Sequence, residues 1–210
     1  MTRKNNLIKF ILVIFFNMLI GTAIGLFRIS GFGADPYSCL NIGISLVSGL
    51  SFGLVIFIVN LIIFIFMLLF SRRLIGFGTL CNILLTGVSA DFTVSIAGEI
   101  HSIFIKIVFF AAAVLLMSLA IAFYMSADMG TAPYDAAAVM AEQFTDGRSH
   151  FRYARIISDA VCVSAGLICG AAAGMPWQTA GAGTIIMTFF TGPLIHFFYE
   201  KFARPLFSRL

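Results

Sequence analysis

The chain has 210 residues, of which 60% are hydrophobic and only 10% charged, with a mean hydropathy of +1.05 and a net charge of +4. A soluble domain carries about 25% charged residues, so this composition excludes a water-soluble globule of this size and leaves a helix bundle whose sides face lipid. The positive balance is no sign of nucleic acid: the basic residues fall in short clusters between apolar runs, and no zinc-finger, basic-region or RNA-binding pattern occurs.

A spanning helix needs about 20 mostly apolar residues. The first such stretch is 8–28, read as an uncleaved first helix rather than a signal peptide. Gly31-Phe32-Gly33 then supplies backbone freedom. Asp35 before Pro36 reads as a helix N-cap with proline at the first helical position. The segment 36–49 is short and partly polar, so it reads as a helix that does not cross. Spans follow at 52–71, 77–97 and 103–125. A second short segment, 133–144, again starts with proline and carries Asp135, Glu142 and Gln143. The last spans are 153–174 and 179–199. The expected fold is an all-α membrane protein with six transmembrane helices and two short proline-initiated helices, either re-entrant or interfacial, in a single transmembrane domain over 1–210. Tyr124, Tyr153, Trp177 and Tyr199 stand at segment ends, where interface aromatics are expected.

Six spans divide the basic residues cleanly. Arg3, Lys4, Lys9, Arg72, Arg73, Arg148, Arg152, Arg155, Lys201, Arg204 and Arg209 share one side, and Arg28 and Lys106 the other. The positive-inside rule then puts both termini in the cytoplasm.

The sequence repeats itself. Gly33-Ala34-Asp35-Pro36-Tyr37 matches Gly130-Thr131-Ala132-Pro133-Tyr134 at an offset of 97. Gly78-Thr79, Thr86-Gly87 and Asp91-Phe92 match Gly183-Thr184, Thr191-Gly192 and His196-Phe197 at an offset of 105. Repeat one covers about 7–98 and repeat two about 103–202. Each holds three spans. Three is odd, so the second half enters the membrane from the opposite side, which predicts inverted-topology repeats with a substrate path at their interface. The loop at Pro36 is then outside and that at Pro133 inside.

Polar residues inside the spans are the functional candidates. Asp91 and His196 occupy equivalent repeat positions, and a proton-coupled path could use such a pair. If the short helices turn inward, their positive N-terminal ends face a solute or an anion near the centre. The residues expected to line the path are Asp35, Pro36, Tyr37, Asp91, Pro133, Tyr134, Asp135 and His196. Asp159 stands one turn after Arg155, as in a local ion pair. Asn17, Asn60 and Asn82 read as interhelical hydrogen-bond partners, and Gly166, Gly170 and Gly174 as close-packing positions. Cys39, Cys81, Cys162 and Cys169 lie in apolar segments without a C-x-x-C pair, so neither disulfide, metal nor cofactor is expected. No G-x-S-x-G elbow or Walker loop occurs, and an enzyme is not expected.

Gly33-Ala34-Asp35-Pro36-Tyr37, Ser71-Arg72-Arg73 and Gly76-Phe77-Gly78-Thr79 resemble the YczE/YyaS/YitT family of bacterial integral membrane proteins. The resemblance implies a bacterial cytoplasmic-membrane protein and names no substrate. Asp-Pro-Tyr stands here where many relatives have Gly-Pro-Trp-Asp, and Ala132-Pro133-Tyr134-Asp135 is nearer that form. The expected function is a small-solute transporter or channel-like permease. A substrate-capturing subunit of a multi-component uptake system and a non-transporting scaffold are the alternatives. The expected partners are the lipid bilayer and a small solute, with a second copy or an energising subunit left open.

Overall fold

The computed structural model describes residues 3–98, 100–144 and 151–208. Arg148 and Arg209 lie outside the described residues, as do the side chains of Arg3, Lys4, Glu142, Gln143, Arg152 and Tyr153. The charge division above draws on several of these.

Among the described residues all regular structure is helical. The order is α1 (Arg3–Ser30), α2 (Pro36–Ser48), α3 (Phe52–Phe70), α4 (Phe77–Ala97), α5 (Ile103–Ser126), α6 (Pro133–Phe144), α7 (Phe151–Ala172), α8 (Ala182–Phe198) and α9 (Arg204–Phe207). Six segments are long and apolar enough to cross a membrane: Asn6–Ser30, Phe52–Phe70, Phe77–Ala97, Ile103–Ser126, Ala154–Ala172 and Pro176–Phe207. The last is longer than the sequence suggested. A 3-10 turn, Pro176–Gln178, leads into α8, and a π-helical turn, Tyr199–Ala203, joins α8 to α9.

α1 is the central element and packs along both α4 and α5. Its buried face is Val13, Phe16, Ile20, Ala23, Ile24 and Phe27. Asn82 on α4 donates to Asn17 on α1 at 2.9 Å, so two buried amides satisfy each other across the helices. α3 packs against α4, and α5 against α8. The outward faces stay apolar: Phe104, Ile168 and Phe189 are each at least 70% exposed. An apolar belt of this extent fits hydrocarbon, not water.

The short helices cross-pack between the halves. α2 lies along α7, and α6 touches both α3 and α7. α2 is capped as its sequence requires. Asp35 accepts from Ser38 N at 3.1 Å, Pro36 fills the first turn, and Gly49 ends the helix at φ 69°, its N–H donating to Ser45 O. Gly43 and Gly166 let the α2 and α7 backbones touch: a Cβ on Gly43 would stand 2.5 Å from the Gly166 carbonyl oxygen. Tyr124 is not an interface aromatic. It is buried, and its hydroxyl donates to Gly130 O at 3.0 Å, holding the loop before α6.

Candidate functional site

The loops before α2 and α6 are tied to distant helix ends by matching bonds. Gly183 N at the start of α8 donates to Phe32 O at 2.7 Å, and Gly78 N at the start of α4 donates to Met129 O at 2.7 Å. The residue after each acceptor is a glycine in the left-handed region, Gly33 at φ 100° and Gly130 at φ 109°. A Cβ on Gly33 would stand 2.6 Å from Gly181 N, and one on Gly130 2.6 Å from Gly76 N. Both angle and space therefore demand glycine. Thr184 and Thr79 complete the pattern, each hydroxyl accepting from the N–H three residues earlier at 3.2 Å. α1 remains helical through Ser30, so residues 31–35 alone make the excursion from α1 to α2.

These loops deliver the N-terminal ends of α2 and α6 to one place. The rings of Tyr37 and Tyr134 stack with centroids 4.4 Å apart. The Tyr37 hydroxyl donates to Asn60 Oδ1 at 2.7 Å, and Asn60 lies at the midpoint of α3. The Tyr134 hydroxyl donates to Asp159 on α7. Through these side chains the first turn of α2 reaches the middle of α3, and the first turn of α6 reaches the first half of α7. Asn60 is 1% exposed, so its partner is obligatory.

Arg155 closes the lower side of this junction. Its guanidinium pairs with Asp135 in the first turn of α6, with Asp159 through Nε at 3.2 Å, and lies 4.4 Å from the Tyr134 ring centre. The local pair expected from sequence exists, but it is one part of a network joining α6 to α7. Asp35 belongs to the same electrostatic neighbourhood, with Arg155 and Asp159 the charged groups that act on it.

Asp35, Pro36, Tyr37, Pro133, Tyr134 and Asp135 therefore come together. Asp91 and His196 do not join them. Asp91 accepts from Arg28 at 2.7 Å and from Gly53 N at 2.7 Å, tying the end of α1 to the start of α3. Arg28 in turn lies 4.6 Å from the Phe52 ring centre. A cavity of about 380 Å³ opens beside this tie, lined by Ser51, Leu54, Phe57, Ile83 and Asp91 among others. His196 is exposed on α8 and has no polar partner among the described residues. The matched positions of Asp91 and His196 thus have different surroundings. Among the described residues no group of three His, Cys, Asp or Glu is placed to hold a metal ion.

Asn60, Arg155 and Asp159 complete the junction but were not expected there. Each carried a signal: one polar side chain in an otherwise apolar run for Asn60, and a charged pair inside a span for Arg155 and Asp159. The local i,i+4 reading absorbed that signal.

The chain is 25% identical over 194 residues to an uncharacterized protein of Haemophilus influenzae, covering 92% of this chain and 84% of that one. No solved structure matches it. Residues 7–200 match the model of a family of unknown function, DUF6198, a match over nearly the whole length that makes the chain a multi-pass membrane protein belonging to that family.

Proposed function

We propose that the chain is a small-solute transporter or channel-like permease of the bacterial cytoplasmic membrane, built from two inverted-topology repeats whose path runs past Tyr37 and Tyr134. The observation that carries this reading is the Tyr37–Tyr134 stack at mid-span. Two residues at equivalent repeat positions touch each other, as they do when a twofold axis passes between them. The reciprocal bonds from Gly78 N to Met129 O and from Gly183 N to Phe32 O support the same symmetry. Such an axis in the membrane plane is the usual setting of a transporter site.

Short helices that start at mid-span are re-entrant rather than interfacial. Irregular backbone at that depth is tolerated only inside protein or beside a watery path. Residues 31–35 lead from the end of α1 to Tyr37, and residues 127–132 lead from the end of α5 past the start of α4 to Tyr134, so both irregular segments deliver a ring to the junction. A scaffold protein has no need to gather seven polar or charged side chains inside an apolar bundle. The resemblance to the YczE-like proteins is compatible with this reading and adds no substrate.

The test is a thermal-stability screen of the detergent-purified protein against small metabolites, followed by uptake of each hit into proteoliposomes. A ligand bound only by the folded state stabilises it by about 2.7 kcal/mol at a hundredfold excess over its Kd. Hits that are taken up, and lost on Tyr37→Ala, support the permease. Binding without uptake, restored by a copurifying ATPase, indicates a capture subunit instead. No hit and no uptake with folded protein leaves a scaffold.

A further inference from the structure

Four buried side-chain polar atoms have no hydrogen-bond partner among the described residues, and all four are oxygens: Asp35 Oδ1, Ser38 Oγ, Asn41 Oδ1 and Thr86 Oγ1. Three of them stand on the first two turns of α2, at the junction. Ser38 and Asn41 are 0% exposed. The Asn41 amide is oriented by its own Nδ2, which donates to Tyr37 O at 2.7 Å, so its oxygen is the atom left over. The Ser38 hydroxyl and the Asp35 carboxylate stand beside each other, and Ser38 Oγ and Asp35 Oδ1 have no other partner among the described residues. Native proteins rarely leave such groups without a partner.

The charges at the junction point the same way. Three carboxylates, Asp35, Asp135 and Asp159, share this junction with one guanidinium, Arg155, which is engaged by Asp135 and Asp159. The N-terminal ends of α2 and α6 each contribute about half a positive charge. Those two half charges and the guanidinium leave about one negative charge uncompensated. An anion, which the bare helix ends alone would favour, is therefore opposed by Asp35 at the N-cap of α2 and Asp135 in the first turn of α6.

We propose that the first two turns of α2 bind one small monovalent metal cation, with Asp35 Oδ1 and Ser38 Oγ as ligands and Asn41 Oδ1 as the next oxygen along the helix. Hard oxygen donors without sulfur or imidazole suit such an ion. Divalent calcium takes six to eight oxygens, commonly with several carboxylates, and among the described residues no group of three acidic, His or Cys side chains is placed to hold a metal ion. Under the permease reading the ion is the coupling ion or the cargo. Its binding is tested apart from that reading.

The experiment is thermal unfolding of the purified full chain in detergent, titrated with sodium, potassium or choline chloride at constant ionic strength. Sodium or potassium should raise the melting temperature saturably where choline does not. Asp35→Asn keeps the N-cap, since Asn caps as well as Asp, and should abolish the shift without unfolding the protein. Ser38→Ala should raise the melting temperature in choline, by removing an unpaired hydroxyl, and weaken the response to the ion. Equal shifts with all three salts, or an undiminished shift in Asp35→Asn, overturn the proposal. A response to acidification but to no alkali cation also overturns it, by assigning the charge to a proton. A saturable ion shift with no flux of ion or solute in liposomes would sink the permease and leave the site standing. Solute uptake with no ion shift would do the reverse.

Discussion

Tyr37 and Tyr134, 97 residues apart in sequence, stack with their ring planes 16° from parallel. Each hydroxyl is anchored on a different long helix, Asn60 on α3 and Asp159 on α7. The stack is therefore the point where four helices from both halves meet. An aromatic pair contributes about 0.5–1.5 kcal/mol beyond its area burial. A double-mutant cycle of Tyr37→Leu and Tyr134→Leu, read by thermal unfolding, should give a coupling of that size. Additive single effects would mean that the rings touch without holding the halves together.

Tyr37→Phe removes one oxygen from the buried end of this contact. Asn60 Oδ1 then loses its donor at a position 1% exposed. An unsatisfied buried acceptor costs about 1–3 kcal/mol. Tyr37→Phe with Asn60→Leu removes both partners and should recover most of that loss. If the single variant is as stable as the parent, the hydroxyl has another partner in solution.

The spans, both short helices and the Asp35 cap of α2 were legible in the sequence, because apolar length, Asp35-Pro36 and Pro133 are local signals. The glycines of the two loops were legible too, as Gly33 and Gly130 recur in the repeated motif. What could not be read was which polar groups meet. Asn60, Arg155 and Asp159 are brought to Tyr37 and Tyr134 by α2 lying on α7 and α6 touching α3 and α7, and no local pattern encodes that crossing. Asp91 was legible only in part. Its repeat position suggested a path residue but gave no hint of its two bonds, which make it a tie between α1 and α3 beside the cavity it lines.

Asp91→Asn should therefore act on stability. The Arg28 and Asp91 side chains are 25% and 32% exposed, so the pair is partly solvated. Breaking a fully buried pair costs about 3–5 kcal/mol, and an exposed one is worth about 0–1 kcal/mol. The expected loss lies between these, about 1–2 kcal/mol. His196→Ala, at an exposed position with no polar partner among the described residues, should leave the melting temperature within error. Loss of uptake in His196→Ala at unchanged stability would restore His196 to the path, and the Asp91/His196 double variant then tests whether the two act together.

Arg155→Lys keeps the charge but loses the planar fork. A lysine cannot reach Asp135 and Asp159 together while lying flat on the Tyr134 ring. Destabilisation of about 1–3 kcal/mol is expected from weakened hydrogen bonds to charged groups. Arg155→Leu should be worse, since it leaves two carboxylates without their cation, and Asp135→Asn in that background should recover part of the loss. Recovery by Asp135→Asn alone would place the larger share of the pairing on α6.

Inversion of the repeats is best tested at exposed equivalent positions, because Ala34 is 1% exposed and a poor target for labelling. Arg73 and Gln178 are both exposed and are related by the offset of 105 that links the α4 and α8 segments. Single cysteines there, in a background lacking the four native ones, should react with an impermeant maleimide from opposite sides of oriented vesicles. Arg73→Cys is expected to label from the cytoplasmic side and Gln178→Cys from the other. The two sites bracket the halves at matching points, so an even number of spans between them would put both labels on one side. That result would break the symmetry on which a shared path at Tyr37 and Tyr134 depends, whereas opposite labelling with an intact stack would leave that path as the element common to both halves.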